Sequence, residues 1–174
     1  MHSQLIDVGI GSRDVGDFLA SVLKNSSKPL THILEHLSGA QLRIQVLSDG
    51  KRPLTDGERY RLDAAGIACC RWRHGLLVTP DGMVAAGVSL LWLPARLPAE
   101  ACKALDAATL PAGTILAPLG MYRTDRRTLA TWGIEEITGQ DAAVRSSAVL
   151  AIGGHGVGIA EEHITRAFAQ SLAD

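Results

Sequence analysis

The stretch Ile67-Ala68-Cys69-Cys70-Arg71-Trp72-Arg73-His74-Gly75-Leu76-Leu77-Val78-Thr79, followed by Pro80-Asp81-Gly82 and then by Met83 through Leu93, decides the fold. Two apolar runs flank a turn with a stated mechanism: Pro presets one dihedral and Gly accepts positive φ. The pattern predicts a β-hairpin over 67–93, turning at Thr79-Pro80-Asp81-Gly82. Alternation along its first strand puts Arg71 and Arg73 on one side and Trp72 on the other.

Outward from this hairpin, the apolar period separates helices from strands. Upstream, Val15, Phe18, Leu19 and Val22 recur at helical spacing within Asp14 to Leu23, and Asn25-Ser26-Ser27 ends that helix. A second helix is expected from Leu30 and Thr31, burying Ile33, Leu34 and Leu37 and stopping at Ser38-Gly39. The period then falls to two, with Leu42, Ile44 and Val46 on one face of a strand. Lys51 to Glu58, holding Pro53, Asp56 and Gly57, reads as a loop. Downstream, Ala99 to Ala108 reads as a helix, with Ala101, Leu105 and Ala108 on one side. Pro111-Ala112-Gly113 and Pro118-Leu119-Gly120 bracket a short apolar run, Thr114 to Ala117, and Arg126 to Trp132 reads as helical. Strands over Ser147 to Ile152 and Val157 to Ile164 are joined by Gly153-Gly154-His155-Gly156. Helices precede a run of hairpins without βαβ alternation, which predicts an α+β fold with a largely antiparallel sheet and one domain over 1–174.

Composition narrows the function classes. The 174 residues are 47% hydrophobic and 20% charged, enough to bury a core without disulfides or metal. A net charge of -1 with no block of like charge disfavours a general nucleic-acid or anionic-membrane binder. No apolar run reaches the length of a spanning helix, and Met1 to Ser12 carry no secretory signal pattern, so a cytoplasmic address is expected. Cys69, Cys70 and Cys102 are an odd set without a C-x-x-C and read as buried free thiols.

Four sets of residues could carry chemistry. His32-Ile33-Leu34-Glu35-His36 has the H-x-x-E-H form that can hold a metal on a helix, but a polar helix face containing two His explains it more simply. Gly153-Gly154-His155-Gly156-Val157-Gly158 lacks the Lys and Ser or Thr of a phosphate loop and reads as a hairpin turn. Arg71 and Arg73 suit a carboxylate ligand if their side faces a cavity, and are solvated surface charges if it faces water. Glu161 and Glu162 are adjacent on a strand, so at most one looks into a pocket; Glu161 shares its face with Ile159 and His163.

Together these residues resemble the chorismate lyase family, whose fold is shared by the effector-binding domains of GntR-type bacterial regulators. The likeness runs from Lys28 to Thr165. It is carried by Lys28-Pro29-Leu30-Thr31 before the second helix, Arg71-Trp72-Arg73-His74 leading to Asp81-Gly82, Leu110-Pro111-Ala112-Gly113, and Gly156 through Glu161. The resemblance implies a chorismate lyase-like fold and a cofactor-free lyase converting chorismate to 4-hydroxybenzoate and pyruvate for quinone or other aromatic biosynthesis. It makes Arg73 the carboxylate ligand, supported by Arg71, and Glu161 the acid or hydrogen-bond partner. Leu30, Ala112 and Gly113 would supply backbone N–H groups and walls. No metal or organic cofactor is implied, and the partner is a small molecule rather than nucleic acid or membrane.

The rival reading is a non-catalytic domain of the same fold that binds or senses a small aromatic acid. A complete DNA-binding regulator would carry about 60 to 70 further N-terminal residues for a winged helix, so the length of the chain is expected to disfavour that form.

Overall fold

The computed structural model describes residues 12–130 and 139–173. Six strands make one antiparallel sheet: β1 (Arg43–Pro53), β2 (Cys69–Val78), β3 (Val84–Trp92), β4 (Tyr122–Ala130), β5 (Ala142–Ile152) and β6 (His155–Thr165). Their order is β1-β2-β3-β6-β5-β4, so the last strand inserts beside the third and the two become the central pair. The α+β class with an antiparallel sheet, expected from the sequence, is what the chain forms.

The β2–β3 hairpin pairs Arg73 with Leu90 and Val78 with Val84. Its turn is closed by Thr79, whose N–H donates to the Met83 carbonyl and whose hydroxyl accepts the Met83 N–H, both at 2.9 Å. The β5–β6 hairpin turns on Gly153 and Gly154, with φ of 57° and 86°. Two successive left-handed residues match the twist of the flanking strands, and glycine takes that conformation at little steric cost.

Helices α1 (Ser12–Asn25), α2 (Leu30–Ser38) and α6 (Arg166–Ser171) enclose one core cluster with the sheet, including Leu19, Leu34, Leu77, Ile164 and Phe168. Helices α4 (Ala99–Ala107) and α5 (Ala112–Leu116) build a second around Leu90, Trp92, Leu105 and Leu116. On the opposite sheet face, α3 (Asp56–Leu62) covers a third, with Leu62, Leu91 and Ile159. Among the described residues no helix is long and apolar enough to cross a membrane.

The chain departs from the sequence reading in four segments. Lys51 to Glu58 is not a loop: β1 runs to Pro53 and α3 starts at Asp56. The cause is a capping box, in which Thr55 Oγ1 accepts the Glu58 N–H and Glu58 Oε2 accepts the Thr55 N–H. The residues read as helical from Arg126 are strand through Ala130, and the remainder, 131–132, lie outside the described residues. There β4 is an edge strand carrying an irregularity between Thr124 and Arg127, with Asp125 at φ 43°, which breaks the period-two pattern. Pro111 opens the helix α5 instead of a turn, and Pro118 lies in a 3-10 turn, Ala117–Leu119. Helix α6 was not expected; Thr165 caps it by accepting the Phe168 N–H at 3.2 Å.

Candidate functional site

Between α2, α5 and one face of the sheet lies a cavity that opens to solvent. Two helix N-termini meet over it. Pro29 and Pro111 precede α2 and α5 with nearly equal backbone angles, φ −54° and ψ 143° against φ −57° and ψ 145°. Each proline supplies a preset φ, and the first N–H groups that follow have no partner within their own helix. The approach is close: a Cβ built on Gly113 would stand 2.7 Å from Pro29 Cβ and 3.4 Å from Thr31 Oγ1. Glycine is required there because no side chain fits between the two helices.

The sheet forms the floor. Gly75 and Leu77 of β2, Val88 and Leu90 of β3, Leu150 of β5 and Ala160 of β6 line it with apolar surface. Three charged side chains interrupt that surface: Arg73, Arg123 and Glu162, which are 3%, 2% and 4% exposed. Buried charges are tolerated only when paired or hydrogen-bonded, so their partners define the site.

Arg123 Nη2 donates to Glu162 Oε2 at 2.7 Å and to Ser146 Oγ at 2.6 Å. Its backbone N–H donates to the Ser27 carbonyl at 2.9 Å, which ties β4 to the segment before α2. Burial pushes the Glu162 carboxyl above its usual range, while Arg123 and Ser146 pull it down. Arg73 Nη2 donates to the Leu105 carbonyl in the last turn of α4, and the guanidinium carbon lies 5.4 Å from the Trp92 ring centroid. Burial lowers the Arg73 guanidinium from its ordinary value. Arg73 Nε and Arg123 Nε and Nη1 are buried without a hydrogen-bond partner among the described residues. Three unsatisfied buried donors on two arginines that line an apolar cavity are costly.

The residues singled out from sequence distribute as follows. Leu30, Arg73, Ala112 and Gly113 all line this cavity. Arg71 shares the face of Arg73, with its guanidinium 5.9 Å from the Trp92 centroid, but it pairs with Asp106 at 3.1 Å and does not line the cavity. Glu161 is a correction: it is exposed on the other sheet face, in a cleft with Trp72, His74, Ser89 and Arg61. Its neighbour Glu162 is the carboxyl that enters the cavity. The two glutamates point to opposite faces as alternation requires, and alternation does not choose between them, because β6 is central and apolar on both faces. Ala160 and Ile164 on the Glu162 side carried as much signal as Ile159 on the other.

Arg123 had no sequence signal, since the irregular edge strand hid its face. In the H-x-x-E-H segment, Glu35 Oε1 accepts the Leu42 N–H at 2.9 Å, a structural use of that carboxylate. Among the described residues no group of three or more His, Cys, Asp or Glu could hold a metal ion.

No family model matches the sequence, and no curated protein matches it either. Solved structures do. A domain described as the ligand-binding part of a GntR-family transcriptional regulator from Bordetella bronchiseptica matches 72% of this chain and 83% of its own, with 13% identity and a TM-score of 0.55. The effector domain of PhnF from Mycobacterium smegmatis matches 79% of this chain and 88% of its own, with 9% identity and a TM-score of 0.61. Against a longer PhnF chain the match covers 81% of this chain and 65% of that one, with 9% identity and a TM-score of 0.62, so this chain spans less than two thirds of that protein. The chain therefore has the chorismate lyase-like α+β fold that the effector domains of GntR-family regulators share.

Proposed function

We propose that this domain binds a small organic acid in the cavity beneath α2 and α5, and works as a ligand-binding or sensing module. The observation that carries the reading is a pair of buried arginines, Arg73 and Arg123, that line an apolar cavity and keep unpartnered donors. An acid with a short apolar body would satisfy those donors with its carboxylate and cover Leu77, Val88, Leu90 and Leu150 with its remainder. The fold shared with effector domains of regulators supports it. A thermal shift assay tests it: an aromatic or aliphatic monocarboxylate at millimolar concentration raises the melting temperature, as any ligand of the folded state must. Unchanged melting across a panel of such acids would overturn the reading.

A second reading, a cofactor-free lyase acting on chorismate, is favoured by one observation. A buried carboxyl, Glu162, shares the cavity with Arg73, the pairing that the family resemblance calls for, although at Glu162 and not Glu161. In this reading Arg73 orients the substrate carboxylate and Glu162, raised by burial, donates a proton to the ether oxygen as the ring C–O bond breaks; enolpyruvate leaves and tautomerises to pyruvate, and the ring proton lost on aromatisation restores the Glu162 acid. Incubation with chorismate decides between the two. Stoichiometric pyruvate and 4-hydroxybenzoate above the spontaneous rate supports the lyase, and binding without turnover supports the sensor.

A further inference from the structure

The charges lining the cavity do not balance. Two guanidinium groups, Arg73 and Arg123, face one carboxylate, Glu162, and Arg123 spends its charge on that carboxylate at 2.7 Å. In direct contact Arg73 has a carbonyl and an aromatic ring, and the carboxylates that act on it through space, Asp49 and Asp106, both lie outside the cavity lining. Its register partner on β1, Asp49, is solvent-exposed and does not line the cavity. Arg71, the other cation on this face, is neutralised by Asp106.

We infer that the cavity selects ligands carrying a single negative charge, because the Arg123–Glu162 pair leaves Arg73 as the one lining cation with no carboxylate in contact. The inference rests on the ligand-binding reading and names the class of acid that site takes. A neutral molecule leaves Arg73 unpaired in a buried site. A dianion brings a second negative charge against Glu162 at a place where water cannot screen it. For the dianion to enter, Glu162 must take up one proton and pass from carboxylate to acid, releasing Arg123 to the ligand. Among the residues that line the cavity Glu162 is the one that can take that proton: α2 presents Leu30 and Thr31, α5 presents Ala112 and Gly113, β3 presents Val88 and Leu90, the other charged groups are Arg73 and Arg123, and the carboxylates that act on Arg73 from outside the lining are Asp49 and Asp106. Proton uptake on binding is thus expected of dianions and not of monoanions.

Calorimetric titration of the full chain with three probes of similar size tests this: 4-hydroxybenzoate with one negative charge, benzene-1,4-dicarboxylate with two, and 4-hydroxybenzamide with none. At neutral pH the monoanion binds about tenfold tighter, or more, than either of the others. Dianion affinity rises close to tenfold for each pH unit of acidification above the point where Glu162 titrates, and monoanion affinity stays level over the same range. Repeating the titration in buffers of different ionisation enthalpy counts the proton directly and needs no variant. In Glu162→Gln the slope vanishes and the dianion overtakes the monoanion. A wild-type protein that takes the dianion equally well with no proton uptake overturns the charge selection alone. Failure of all three probes to bind overturns the ligand-binding reading, and the inference with it.

Discussion

Arg123 on β4 and Glu162 on β6 meet across the intervening strand at 2.7 Å, with their side chains 0% and 6% exposed. Ser146 of β5 completes the bridge by accepting from the same nitrogen. The three strands that end the chain are thereby tied through polar groups beneath a cavity that is otherwise apolar. Such a pair adds little to stability when intact, because desolvation offsets attraction, yet it is expensive to break from one side.

Arg123→Met is therefore expected to cost about 3–5 kcal/mol in chemical denaturation at neutral pH, since it strands a buried carboxylate. Burial already holds the folded-state pKa of Glu162 above 4.5. Such a group stabilises the fold fully below its unfolded value, and that contribution is lost as pH rises through the folded value. Removing the Arg123 charge raises it further, so the variant loses more stability than wild type between pH 4.5 and neutrality. Parallel pH profiles for the two proteins would contradict this.

Glu58 behaves in the opposite sense. The Arg52 guanidinium at 2.6 Å, with the backbone and hydroxyl of Thr55, holds its carboxyl down at about 2 against an ordinary 4.5. Its contribution is present above 4.5 and is lost as pH falls toward about 2. Glu58→Ala should cost about 0.5–2 kcal/mol at neutral pH by removing half of the capping box at α3. It should also remove part of the acid sensitivity seen in wild-type denaturation curves below pH 4.5.

Gly113→Ala probes the meeting of the two helix N-termini. The new methyl, 2.7 Å from Pro29 Cβ, pushes α5 from α2 and opens the cavity roof. The expected cost is about 1–3 kcal/mol of stability, as for other overpacked sites. Ligand-induced thermal shift falls with it. Full retention of that shift would mean that the roof does not contact the ligand.

Glu161→Ala and Arg73→Ala separate the two carboxyl assignments from the role of the arginine. Glu161 is exposed on the far face, so its removal changes stability by no more than about 0.5 kcal/mol and leaves binding intact. Arg73→Ala removes a charged donor from the Leu105 carbonyl, at a cost of about 1.5–3 kcal/mol, and abolishes acid binding. A Glu161→Ala protein that no longer binds acids would return that residue to the site.

Much of this fold is legible in the chain. Pro80-Asp81-Gly82 between apolar runs placed the β2–β3 hairpin, and Gly153-Gly154 placed β5–β6, because turn chemistry is local and needs no tertiary partner. Four cavity residues were also legible: Leu30, Arg73, Ala112 and Gly113. Thr55-Asp56-Gly57-Glu58 is a capping box whose Gly57 and neighbouring Pro53 also fit a loop, so composition alone does not separate the two.

Other features depended on the tertiary structure. A central strand is covered on both faces, so alternation along β6 could show that Glu161 and Glu162 part company but not which of them turns to the cavity. An irregular edge strand hid the direction of Arg123. The sequence by itself determined the hairpins, the first two helices and the side of β2 that carries Arg73, all set by interactions within a few residues. Only the side-by-side pairing of β4 with β5 and of β5 with β6, with both side chains turned to the same face, brought Glu162 to Arg123, a contact across 39 residues of sequence that no local pattern encodes.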